Sequence, residues 1–274
     1  METIHKSGYG LSVKIDDINI GYDDLGEGNI PIIFLHGFPF DRTMWQPQME
    51  FLSKSNRVIA YDIRGYGKSD SGTQKFTIDQ FANDLIEFMD ALQIDKAVVC
   101  GLSMGGYILL NAIESNPGRF KAVILSDTQC VADTEEGKAG RMKAIEQVKE
   151  KGLEEFAEGF LKKIFWTETL AHQKELTEKI KQVILNTKQE TVTGTLLALA
   201  ERNETCSTLE KIDVPVMILC GENDQVTPLE KSQMMHARIN GSVLYVINNA
   251  GHMSSLEQPE FFNNYVSVFL TEIN

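Results

Sequence analysis

A serine hydroxyl becomes a nucleophile only when a neighbouring base takes its proton, and three residues of this chain fall where such a relay needs them. Ser103 stands in Gly101-Leu-Ser-Met-Gly-Gly106, between the apolar run 97–100 and a segment of helical character at 104–115. A serine at the tip of so sharp a strand-to-helix turn takes up an unfavourable backbone conformation. Bulk two residues to either side would strike the adjoining strand and helix, which accounts for glycine at 101 and 105. The helix N-terminus behind the serine favours developing negative charge. Of the five histidines, His252 follows the last predicted strand, in Asn249-Ala-Gly-His-Met253, and loops at the carboxyl ends of strands are where open α/β sheets build their sites. His36 also ends a strand but leads into a segment with another task, and His5, His172 and His236 have no such placement. An orienting carboxylate completes the relay. Asp224, in Gly221-Glu-Asn-Asp-Gln-Val-Thr-Pro228, is favoured over Asp127, which follows the strand ending at 125, and over Glu222.

Acyl transfer also needs N–H donors for the oxyanion that forms on the attacked carbonyl. Met104, the residue after the serine, supplies one. The loop His36-Gly-Phe-Pro39 supplies the other through the Phe38 N–H, because Pro39 has none.

These residues need a sheet to hold them. Segments 11–15 and 18–22 flank Asp16-Asp17 as a predicted hairpin. The continuous apolar run 30–35 suits a strand buried on both faces, and further strands are predicted at 57–61, 97–100, 122–125, 214–219 and 243–247. Helices are predicted at 43–54, 78–92, 104–115, 229–239 and 258–271. In the clearest, Ile78, Phe81, Ala82, Leu85, Phe88, Met89 and Leu92 share one face, and Thr77 with Gln80 reads as a capping box. Strands alternating with helices mean a mostly parallel sheet covered on both sides. The rhythm stops between 129 and 209, where Leu153, Phe156, Phe160 and Ile164 recur at helical spacing and three or four inserted helices are expected. The chain therefore divides into a first core part at 1–128, an all-helical insertion at 129–209 and a second core part at 210–274.

Composition excludes several partners. Hydrophobic residues make up 42% and charged residues 24% of the 274, the balance of a soluble globular protein. A net charge of −13 repels phosphate backbones and anionic lipid, so neither nucleic acid nor a membrane is expected as partner. No apolar stretch approaches the ~18 residues that cross a bilayer, and the polar start of the chain does not read as a signal peptide. The four cysteines match no zinc or thioredoxin spacing. Cys100 and Cys220 end apolar runs and read as buried thiols, and a reducing cytoplasm is expected. The relay calls for no metal or other cofactor, and nothing in the sequence speaks to oligomeric state.

From His36-Gly37 to His252 the chain resembles the α/β-hydrolase superfamily. The order Ser103, Asp224, His252 is that family's order, and Asp62-Ile-Arg-Gly-Tyr-Gly-Lys-Ser69 looks like its structural Asp-x-Arg-Gly-x-Gly-x-Ser loop. The resemblance implies an eight-stranded, mostly parallel sheet, and it identifies 129–209 as a cap that covers the site and shapes the pocket. Phe38, Met104 and the cap residues Phe165 and Trp166 are then expected in the pocket wall. The motifs His-Gly-Phe-Pro, Gly-Leu-Ser-Met-Gly-Gly and Gly-Glu-Asn-Asp-x-x-Thr-Pro are similar to those of small bacterial carboxylesterases, 3-oxoadipate enol-lactonases and haloperoxidase-like perhydrolases. Ser103 stands where haloalkane dehalogenases carry aspartate, which disfavours dehalogenation. The resemblance implies hydrolysis of a small-molecule carboxylic ester or lactone through an acyl-enzyme on Ser103. The alternatives are a carbon–carbon bond hydrolase, a perhydrolase or an aminopeptidase using the same triad, and a ligand receptor on a retained hydrolase scaffold. Prolyl aminopeptidases hold a free amine with acidic cap residues, of which Trp166-Thr-Glu168 is the one short trace.

Overall fold

The computed structural model describes residues 7–273, so His5 lies outside the described residues. In chain order the core runs β1 (Gly8–Ile15), β2 (Ile18–Leu25), β3 (Ile32–Leu35), α1 (Gln46–Leu52), β4 (Val58–Tyr61), α2 (Ile78–Ala91), β5 (Ala97–Leu102), α3 (Met104–Ser115) and β6 (Phe120–Ser126). Five helices follow among the described residues before the sheet resumes: α4 (Glu135–Lys151), α5 (Leu153–Ile164), α6 (Thr167–His172), α7 (Lys174–Leu185) and α8 (Gln189–Glu201). The chain closes with β7 (Val216–Gly221), α9 (Leu229–Arg238), β8 (Val243–Ile247), α10 (Ser254–Glu257) and α11 (Pro259–Glu272).

The strands form one eight-stranded sheet in the order β1-β2-β4-β3-β5-β6-β7-β8. The hairpin β1–β2 and the pair β2–β4 are antiparallel, and all other neighbours are parallel. Every residue of β3, β4, β5 and β7 is buried, as strands covered by helices on both faces must be. Helix α2 buries Ile78, Phe81, Ala82, Leu85, Phe88 and Met89. The Thr77 hydroxyl accepts the Gln80 N–H at 3.0 Å, which is half of the expected capping box. The Gln80 amide turns instead to Asp84, also at 3.0 Å. Asp84 is buried on the apolar face because Arg64 meets it with two bonds of 2.8 and 2.6 Å. Asp62 holds the Arg42 guanidinium together with the backbone N–H groups of Arg42 and Lys68. The loop 62–69 thus ties the end of β4 to its surroundings.

The inserted helices pack chiefly on one another, α4 on α8 and α5 on α7. They exceed the three or four expected because Gly152, at φ 77°, ends α4 early and extended backbone at Phe165 and Trp166 cuts off the short α6. At the base of the insertion Cys130 and Cys206 form a disulfide, whereas the sequence reads as that of a protein in a reducing compartment. A separation of 76 residues hides this pairing from sequence reading; adjacency of β6 and β7 in the sheet brings the two ends of the insertion together. Cys100 and Cys220 are the expected buried thiols. No described helix is long and apolar enough to cross a membrane.

Candidate active site

Ser103 joins β5 to α3 with φ 53° and ψ −112°. A non-glycine residue held at such an angle costs on the order of 1–3 kcal/mol and persists only where its surroundings over-determine it. They do so here. The Ser103 N–H donates to the Ser126 carbonyl at 3.0 Å, and the Ser103 carbonyl accepts from Gly106 N–H (2.9 Å), Tyr107 N–H (3.2 Å) and the Thr128 hydroxyl (2.7 Å). A Cβ at Gly101 would run into the Gly105 carbonyl, and one at Gly105 into the Leu35 carbonyl of β3. The glycine pair is therefore a steric requirement of the turn, on the helix side and the strand side alike.

The loop after β3 lies against this serine. A Cβ on Gly37 would meet Leu102 Cδ2 at 2.8 Å and Ser103 Cβ at 3.4 Å. Fully buried His36 anchors the loop. Its Nε2 accepts the Ile63 N–H at 2.9 Å, which puts the proton on Nδ1, and Nδ1–H donates to the Gly37 carbonyl at 2.9 Å. Burial lowers its pKa to about 4, so the ring is a neutral strap between the loops of β3 and β4. Phe38 continues from Gly37, and Met104 opens α3, where N–H groups have no acceptor within the helix.

The loops after β7 and β8 carry the other two residues. They are bonded together by Glu222 N–H to the Ile247 carbonyl (2.9 Å) and Asn223 N–H to the Ala250 carbonyl (2.8 Å). His252 Nδ1 lies 2.8 Å from Asp224 Oδ2, with the two residues 2% and 5% exposed. Asp224 also accepts Val226 N–H (2.8 Å), Thr227 N–H (3.0 Å) and the Thr227 hydroxyl (2.7 Å). Burial alone would raise the Asp224 carboxyl, but the charge and hydrogen bond of His252 bring it below its ordinary value. Burial alone would likewise lower His252, and the Asp224 charge lifts it above the ordinary imidazole range.

The rival carboxylates have other partners. Asp127 accepts Gly221 N–H (2.8 Å) and the hydroxyls of Ser126 (2.8 Å) and Ser254 (2.5 Å). Burial, then the neighbouring Asp224, pushes its pKa up to about 7. Among the described residues Glu222 accepts only a long 3.4 Å bond, from Asn249 N–H. Asp127, Cys220 and Asp224 bring ligand atoms within 4.8 Å of one another. Both carboxylates are already saturated by protein donors, and burial pushes the Cys220 thiol up, so the group fits a hydrogen-bond network better than a cation.

Beyond Phe38 a cleft of about 550 Å³ opens between core and insertion. Phe38, Phe156 and Phe160 form its aromatic wall, with ring centroids 5.6–6.2 Å apart. Leu196 and Val226 add to the apolar lining, and Arg141 and Lys163 bring positive charge. Arg141 pairs with Asp133, which also holds Arg202 at 2.6 Å. Met104, Phe165 and Trp166, expected in the wall, are not among the lining residues; Met104 and Phe165 are buried and Trp166 half-buried. The stripe that contains Phe156 and Phe160 was legible as a helix face, but periodicity does not say which part of a face meets a cleft. Sequence reading also passes over Glu257, a buried carboxylate that reaches both Gly251 and the insertion; no local pattern marks a glutamate as buried.

A family model described as alpha/beta hydrolase fold matches residues 30–259. The 3-oxoadipate enol-lactonase 2 of Acinetobacter baylyi is 31% identical over 264 residues, covering 96% of this chain and 97% of that protein. The structure of a thermophilic esterase from Thermogutta terrifontis superposes with a TM-score of 0.91 at 32% identity, covering 96% of this chain and 98% of the other. The enol-lactonase from Burkholderia xenovorans LB400 gives a TM-score of 0.89 at 26% identity over 95% of this chain and all of its own.

Proposed function

This chain belongs to the α/β-hydrolase family and is a hydrolase of ester bonds, and from that premise we propose that it cleaves small carboxylic esters or lactones through an acyl-enzyme on Ser103. The observation that carries the reading is the buried 2.8 Å contact between His252 and Asp224, in a chain whose strained serine heads α3. His252 takes the Ser103 proton on Nε2 as the hydroxyl attacks the carbonyl. Asp224 fixes the tautomer and stabilises the imidazolium. The Phe38 and Met104 N–H groups receive the oxyanion. His252 then protonates the leaving alkoxide, and afterwards deprotonates the water that releases the acid.

The aromatic wall of the cleft suits an apolar acyl or alcohol part. An aminopeptidase needs an uncommitted carboxylate for the substrate amine. Asp133, the acid of the cleft, is engaged by two arginines, and Glu168 lies exposed on α6, paired with His172, which favours ester or lactone over aminoacyl amide. The division into core parts 1–128 and 210–274 with a substrate-selecting cap at 129–209 belongs to the same proposal. So does a cytoplasmic location, which fractionation of the producing cells tests.

The deciding experiment is a turnover panel of short-chain p-nitrophenyl esters, lactones, β-diketones and aminoacyl amides, with Ser103→Ala as the blank. Esters or lactones are expected to turn over and to lose that turnover in the variant. Turnover confined to diketones or amides, or undiminished in Ser103→Ala, contradicts the reading.

A further inference from the structure

The loop that carries His252 has a weak point of its own making. Gly251 precedes the histidine, and glycine leaves the backbone more freedom than any other residue. Glycine is required there, because a Cβ would lie 2.7 Å from Trp166 N and 2.9 Å from the Ile164 carbonyl oxygen. The hydrogen bond to Asp224 holds one ring nitrogen only. Something else must hold the peptide from which the ring hangs.

Glu257 does so. It ends α10 and is 4% exposed. Its Oε1 accepts the Gly251 N–H at 2.8 Å. Its Oε2 accepts the Trp166 N–H at 2.9 Å and the Thr169 hydroxyl at 2.6 Å. Alongside, the His252 N–H donates to the Ile164 carbonyl at 2.8 Å. One carboxylate therefore laces the catalytic loop to the α5–α6 junction of the insertion. Burying an acid is costly unless donors meet its lone pairs, and here donors arrive from both sides.

We propose that Glu257 is a positioning residue for His252: it locks the peptide before the histidine to the insertion, so that base and cap junction hold one fixed relation to Ser103. The inference rests on the Ser103, His252 and Asp224 reading. Glutamine cannot take its place. A side-chain amide offers one acceptor oxygen and one NH2 group, so donor must face donor at either Gly251 or Trp166.

The test compares Glu257→Gln and Glu257→Asp with the wild type, with folding checked by thermal melting. Two rates are read, p-nitrophenyl acetate turnover and covalent labelling by a fluorophosphonate. A shift of about 1 Å in a reacting group costs on the order of 10²-fold. In Glu257→Gln, kcat and the labelling rate are therefore expected to fall together by about 10²-fold, with KM changed less than about threefold. Glu257→Asp keeps the charge but is too short to reach both sides. It is expected to lose about tenfold, and it carries the test where the glutamine variant does not fold. A folded variant that labels at the wild-type rate, or one that raises KM while sparing kcat, overturns the proposal. Failure of the underlying reading looks different: wild type itself would then take no label on Ser103.

Discussion

The elbow at Ser103 and the insertion between β6 and β7 are held by different kinds of constraint. At the elbow the constraint is backbone against backbone: glycine 101 faces a carbonyl of α3, glycine 105 faces a carbonyl of β3, and the serine carbonyl takes three donors. In the insertion the constraint is side chain against side chain: stacked phenylalanines, an aspartate shared by two arginines, and a disulfide at the base. Such contacts can be exchanged for others of similar volume. The rigid region suits the chemistry, and the exchangeable region suits the choice of substrate.

The largest effect expected from disturbing the rigid side is that of Asp224→Asn, which should preserve the fold and lower kcat by about 10⁴-fold, because the imidazole then adopts the wrong tautomer. The same variant tests the electrostatics. His252 must be neutral to act as base, and Asp224 raises its pKa against the lowering effect of burial. Wild-type kcat/KM should therefore fall as pH drops through that raised value, and the acid limb should move to lower pH in the variant. A pH series of initial rates checks both.

Next in size is the staple of the insertion. Replacing Cys130 and Cys206 by serine opens a link spanning 76 residues, and the loop-entropy relation sets the loss at up to about 4.5 kcal/mol. Urea unfolding with and without reductant measures it. Slightly smaller is a collision in the core. A Cβ at Gly221 would run into the Gly251 carbonyl, and Gly221→Ala should cost about 3 kcal/mol, as overpacking does. The counterpart in the insertion has the opposite sign. Gly159 lies inside α5 with open space where a Cβ would go, so Gly159→Ala should stabilise by about 0.5–1 kcal/mol. Equal losses at Gly221 and Gly159 would erase the distinction between the two regions.

The same distinction governs what the sequence reveals. Gly101, Ser103 and Gly105 are legible because their spacing falls within five residues of chain, although the Leu35 carbonyl that excludes a side chain at 105 lies on β3. Asp224 and His252 are legible because each follows an apolar run that forms a strand, fully buried in β7 and largely half-buried in β8. The stripe Leu153, Phe156, Phe160, Ile164 reveals a helix, but not that Ile164 is fully buried while Phe160 lines the cleft. Those outcomes depend on neighbours far along the chain. Glu257 meets Trp166 across 91 residues, and no local spacing in Ser254-Ser-Leu-Glu257 announces that contact. The choice of Phe165 and Trp166 as pocket residues fails to match the cleft lining for the same reason.

An acyl group carried on Ser103 can be trapped there. Enzyme quenched with acid during the burst phase of p-nitrophenyl acetate hydrolysis, digested and sequenced by mass spectrometry, is expected to carry acetyl on Ser103, and Ser103→Ala none. Acetyl on a different residue in the wild type, or steady turnover by Ser103→Ala, would contradict an acyl-enzyme on Ser103.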